Sequence, residues 1–137
     1  MMEFNSRSIS RPYIFTNLYE RQILLGTNWI KFNMGQKGFY RVNYPREDWN
    51  EFIKILDTNR ELFSQADRAH LLNDAFSLAE SGHLEYDIPM AMVAYLKKEE
   101  GLIPWETAYK SLEKIRRLLQ GTKVYPLLRK VRMQKKP

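Results

Sequence analysis

The chain has 137 residues, 44% hydrophobic and 13% aromatic, with six more basic than acidic side chains and no cysteine. That balance is globular rather than disordered, and the length is enough for one well-buried core. It excludes a disulfide framework and thiolate metal ligands, shows no apolar run near the ~20 residues that span a bilayer, and opens without the apolar core of a signal peptide.

The excess charge is local. Residues 123–137 hold Lys123, Arg129, Lys130, Arg132, Lys135 and Lys136 and no acid, which leaves residues 1–122 balanced at 16 basic (22 − 6) against 16 acidic. A nucleic-acid surface would interleave such a stripe with stacking aromatics. Only Tyr125 is aromatic here, so a solvated helix end is expected and nucleic acid is not.

Residues 1–27 form a poorly patterned N-terminal segment. Residues 28–44 predict a β-hairpin: Trp29, Ile30 and Phe32 on one strand, a turn over Met34 to Lys37 with Gly35 free to take positive φ, and a return over Phe39 to Tyr44. On the return, Phe39, Arg41 and Asn43 share one face and Tyr40, Val42 and Tyr44 the other. Pro45 ends it.

Residues 45–133 predict successive helices, with 134–137 a basic tail. Trp49, Phe52, Ile53 and Leu56 make the first apolar stripe. Ser64 and Asp67 have capping-box spacing, and Leu72, Ala75, Phe76 and Ala79 follow before Gly82 stops the helix. Ile88, Ala91, Met92 and Tyr95 form a third stripe, opened by Asp87 and Pro89 and closed at Gly101. Trp105, Ala108, Leu112, Ile115 and Leu119 form a fourth, from Pro104 to Gly121, and Tyr125 to Arg132 suggest a last short helix. Core packing is the expectation for Met90, Met92, Trp49 and Trp105. Short connections imply antiparallel neighbours, so the fold class expected is mainly α: a solenoid-like layer of helical hairpins preceded by a short β-hairpin.

No catalytic, cofactor-binding or metal-ligating residue emerges. The two histidines, His70 and His83, stand thirteen apart, which suits a polar or half-buried helix residue and a loop residue after the helix. Each is followed by leucine, so neither starts the His-Glu-x-x-His pattern that places two imidazoles on one helical face with a water-activating Glu. The acid pairs Glu47-Asp48 and Glu99-Glu100 fall at helix ends, where a solvated role is expected.

Four segments, in order and spacing, carry a resemblance: Gly38-Phe39-Tyr40-Arg41-Val42-Asn43-Tyr44, Ala66-Asp67-Arg68-Ala69-His70-Leu71-Leu72-Asn73-Asp74-Ala75-Phe76-Ser77-Leu78-Ala79, Tyr95-Leu96-Lys97-Lys98-Glu99, and Pro104-Trp105-Glu106-Thr107. Over roughly residues 28–130 the chain resembles zinc aminopeptidases of the aminopeptidase N and glutamyl aminopeptidase type, at the join between their small β-sandwich domain and C-terminal helical domain. Residues 1–27 do not match. The resemblance implies a section of an enzyme that removes N-terminal residues from peptides with one zinc ion, in which this part helps build a helical bowl over the catalytic domain. The zinc machinery and the Gly-x-Met-Glu-Asn segment that holds the substrate amine belong to an earlier domain, so the section is expected to be inactive alone. Zinc is then expected in the parent enzyme, and the rest of that enzyme is the expected partner. Membership leaves the compartment open, since such enzymes are membrane-anchored, secreted, lumenal or cytosolic. Two other readings stand beside it: a stand-alone helical module that binds or regulates a partner, dimerisation included, and a basic-tail binder of nucleic acid or anionic membrane. A cut solenoid would expose the face its next repeat covers, so self-association or marginal stability is expected.

Overall fold

The computed structural model describes residues 2–3, 29–123 and 125. The N-terminal segment, the last helix proposed from Tyr125 and the tail 134–137 therefore lie mostly or wholly outside the described residues.

Most of the described chain is helical. Two-residue strands β1 (Met2–Glu3) and β2 (Val42–Asn43) pair in parallel. Four helices follow: α1 (Arg46–Thr58), α2 (Gln65–Glu80), α3 (Asp87–Val93) and α4 (Leu102–Leu119). Tight 3-10 turns lie at Met34–Gln36, Arg60–Leu62 and Ala94–Lys98. Helix α2 packs against both α3 and α4, and α1 packs against α3.

The chain reverses over residues 33–38 as the sequence suggests, but its two arms do not form a ladder. Residues 29–32 carry no strand, and their reach to the other arm is through side chains. The Phe32 amide donates to the Tyr44 hydroxyl at 3.0 Å, and the Val42 amide donates to the Asp74 carboxylate at 3.1 Å. Side-chain acceptors have taken the donors that a hairpin would have paired. Asn33, in the left-handed region at φ 53°, brackets the turn: its amide nitrogen donates to the Gly38 carbonyl and its oxygen accepts from the Gly38 amide. The expected alternation does hold, with Val42 and Tyr44 buried and Phe39 fully exposed.

The core is built of aromatic edges. The Phe52 ring meets Trp29 at 5.8 Å, Tyr44 at 4.8 Å, Trp49 at 6.0 Å and Phe63 at 6.0 Å, all near-perpendicular. Such pairs add ~0.5–1.5 kcal/mol each beyond the area they bury. In α1 the stripe is realised by Trp49, Phe52, Ile55 and Leu56, with Ile53 only partly buried.

Two core expectations fail. Met90 is 39% exposed and Trp105 37% exposed. Helix α3 lasts only to Val93 before winding into the tighter turn, so Ile88, Met92 and Tyr95 point inward and Met90 and Ala91 do not. In α4 the inward line runs through Pro104 and Ala108, and Trp105 lies beside it with its indole N–H donating to the Glu99 carbonyl at 3.0 Å.

Candidate functional site

The chemistry-bearing side chains gather on α2. Ser64 caps it, its hydroxyl accepting from the Asp67 amide at 3.1 Å as the spacing predicts. From Asp67 to Ala79 the helix is buried except at Asn73 and Ser77, so its polar residues lie inside rather than on a wet face.

Each buried charge meets a partner far away in sequence. Asp67 accepts from Lys31 Nζ at 2.9 Å, from the Gly35 amide at 2.8 Å and from the Ser64 hydroxyl at 2.6 Å. Both side chains of the Lys31–Asp67 pair are almost wholly buried, at 1% and 3% exposure. Desolvation alone would raise the Asp67 pKa, but the hydrogen bonds from Ser64, Lys31 and Gly35 and the Lys31 charge hold it below the ordinary carboxylate value.

One residue along, Arg68 grips Glu99 with both ends of its guanidinium: Nε to Oε2 at 2.7 Å and Nη2 to Oε1 at 3.0 Å. Its remaining Nη1 donates to the Phe63 carbonyl at 2.6 Å. Glu99 also accepts from the amides of Glu100 and Gly101 at 3.0 and 2.7 Å. A Cβ at Gly101 would come within 2.9 Å of the carboxylate and 2.7 Å of the Gln65 side chain, so those side-chain ends would have to shift. Burial disfavours the Glu99 charge, yet Arg68 and the Gly101 amide outweigh it and the pKa is lowered. The solvated role expected for Glu99 is thus wrong: a helix-end acid has become the inner partner of an ion pair, its side chain fully covered. Glu100 keeps the surface role, 3.8 Å from Arg60.

The third link is Asp74. It accepts from Arg41 Nη1 at 2.9 Å and from the Val42 amide, and lies 3.1 Å from His70 Nε2. His70 is therefore more buried than the half-buried residue expected, and it serves an acid on its own helix. His83 lies in the loop after α2 as expected, its Nδ1 3.0 Å from the Ser81 hydroxyl. A cleft of about 300 Å3 runs beside it, lined by Asn43, Tyr44, Arg46 and Gly82 to Glu85. Two of its polar groups are engaged: Asn43 donates to the His83 carbonyl, and Arg46 pairs with Asp87.

The two histidines do not converge on a shared centre, and among the described residues no three His, Cys, Asp or Glu side chains gather in a way that could hold a metal ion. These residues do not fit a zinc site. No helix among the described residues is long and apolar enough to cross a membrane. Three buried links run from α2 to the loop before β2, to β2 itself and to the entrance of α4.

That linked region is also the region of family likeness. Residues 29–135 match the ERAP1-like C-terminal domain. The chain is 36% identical over 104 residues to aminopeptidase N of Plutella xylostella, covering 76% of this chain and 11% of that protein. It is 39% identical over 98 residues to the thyrotropin-releasing hormone-degrading ectoenzyme of Rattus norvegicus, covering 72% of this chain and 9% of that protein. Against glutamyl aminopeptidase of Homo sapiens it is 36% identical over 104 residues, 75% of this chain and 11% of the relative. The chain thus spans a small share of the length of the relatives it matches, and within that share it belongs to the ERAP1-like C-terminal domain family.

Proposed function

We propose that this chain is a non-catalytic section of a zinc aminopeptidase, placed where the C-terminal helical domain begins. Its part there is to fix the first helices of that domain to the segment before them, so that the helical bowl over the active site has a rigid root. Zinc and the hydrolytic step belong to the catalytic part of such an enzyme, and this chain contributes no ligand to the ion. The observation that carries the reading is the coincidence of the family match with α2, whose buried acids and bases are spent on internal partners. Residues used this way hold a geometry; they do not turn over a substrate.

A second reading is favoured by one feature. Leu102, Ile103 and Tyr109 on α4 are 77%, 51% and 56% exposed, which also suits a stand-alone helical module that binds a partner or a second copy of itself. An immunoblot of the source tissue with antibody raised against residues 64–100 separates the two. A single band far above 16.4 kDa is expected. A discrete band at the size of this chain would overturn the aminopeptidase reading and leave the binding module.

A further inference from the structure

Strand β2 is closed on one edge by side chains and on the other by main chain. Toward α2, the Val42 amide donates to Asp74 Oδ2 at 3.1 Å, and Arg41 Nη1 reaches Oδ1 of the same carboxylate at 2.9 Å. Successive amides of a strand point to opposite edges, so the main-chain groups of Arg41 and Asn43 face away from α2. On that outer edge lies β1, parallel, with Met2 opposite Val42 and Glu3 opposite Asn43.

The outer edge is held in shape by contacts that owe nothing to β1. Val42 is fully buried. The Asn43 side chain donates to the His83 carbonyl at 2.9 Å and accepts from the Trp49 indole at 3.1 Å. Pro45, with no N–H, limits any ladder to the few residues before it. The strand that fills the edge comes from elsewhere in the chain. The family match begins at residue 29, so Met2 and Glu3 lie outside the domain that contains β2, and among the described residues no other strand pairs with it. An isolated two-stranded pairing is marginal in water, so a two-residue filling is weak enough to be displaced.

We propose that the outer edge of β2 is an acceptor site for one short extended peptide, laid parallel to β2 and recognised through its main chain. Met2–Glu3 fills the site in cis and exchanges with such a peptide in trans. Unpaired donors and acceptors along a strand edge are what an added strand binds. The segment already seated there is extended and comes from this chain, which argues for an extended peptide over a helix. The inference stands apart from the aminopeptidase reading, because it rests on β2 and its neighbours alone.

Amide hydrogen exchange, read by NMR in the full chain, tests it. Met2→Pro with Glu3→Pro takes donors from β1 and should speed exchange of the Asn43 amide about tenfold while the α2 amides keep their protection. A peptide of residues 1–8 in millimolar excess should restore that protection, and the same peptide N-methylated along its backbone should not. Unchanged exchange in the variant, or protection that the peptide does not restore, would overturn the proposal. The cysteine-free chain allows a second check that leaves the strand its donors: a nitroxide attached through Glu3→Cys should broaden the signals of residues 41–44 within one chain. No broadening, or broadening only between chains in a mixed sample, would refute it.

Discussion

Helices α2 and α4 are of similar length and both carry acids and bases, yet the protein uses them in opposite ways. Helix α2 is buried almost all round and keeps Asp67, Arg68, His70 and Asp74 inside; α4 buries only Pro104 and Ala108 and keeps its charges in water. The charges of α2 join segments thirty or more residues apart, whereas those of α4 pair mainly with neighbours on the same helix, such as Glu106 with Lys110 and Glu113 with Arg116. Burial therefore decides what a charge does. On α2 it fixes tertiary structure; on α4 it keeps a helix soluble.

The sharpest break in that contrast is Asp67→Ala. It takes the carboxylate away from the buried Lys31 ammonium and from the Gly35 amide, and should cost about 3–5 kcal/mol of unfolding free energy in urea titration. Leu72→Ala, a fully buried truncation on the same helix, should cost ~2–5 kcal/mol by the same measurement. On α4, Trp105→Phe gives up one hydrogen bond at a half-open site and should cost only ~0.5–1.5 kcal/mol. Leu118→Ser, at an exposed position, should move stability by no more than ~0.5 kcal/mol either way.

Acid sharpens the same comparison. Asp67 and Glu99 are held below their ordinary pKa values, so in the unfolded chain they bind protons at higher pH than in the folded one. Their contribution is present above the unfolded values of ~4 and is lost as pH falls through the lower folded values. Stability should thus fall with pH below ~4, and Asp67→Asn should flatten that slope. Glu113 on α4 is also pushed down, to about 2, by hydrogen bonds and charge from Arg116 and Arg117, but it is only partly covered. Its share should shrink in ~1 M salt, where screening acts over ~3 Å, more than the buried share of Asp67 and Glu99 does.

Much of the helical layout could be read from the sequence because its signals are local. Ser64 and Asp67 sit at capping distance, Gly82 breaks α2 at φ 76°, and the stripes of α1 and α2 repeat within a turn. The links that matter most are not local. Nothing near Lys31 indicates that its ammonium ends on Asp67, 36 residues on, and Glu99 looks like any acid beside a helix end until Arg68 and Gly101 close around it. The missing hairpin ladder has the same cause, since Asp74 and Tyr44 take amides that periodicity assigns to strand partners. Met90 and Trp105 stand outside the core because apolar residue type gives no face: Met90 lies off the inward line of Ile88 and Met92 on α3, and Trp105 lies beside the inward line of Pro104 and Ala108 on α4.

The central claim is that buried charge on α2 holds this region together, and the Arg68–Glu99 pair tests it most directly. Urea unfolding of Arg68→Ala, Glu99→Ala, the double variant and the apolar pair Arg68→Met with Glu99→Leu would measure the coupling. The account predicts a loss of about 3–5 kcal/mol for either single variant, and a smaller loss for the apolar pair than for either, because no charge is then left stranded. Single variants that each cost less than ~1 kcal/mol, the range of surface salt bridges, would contradict it.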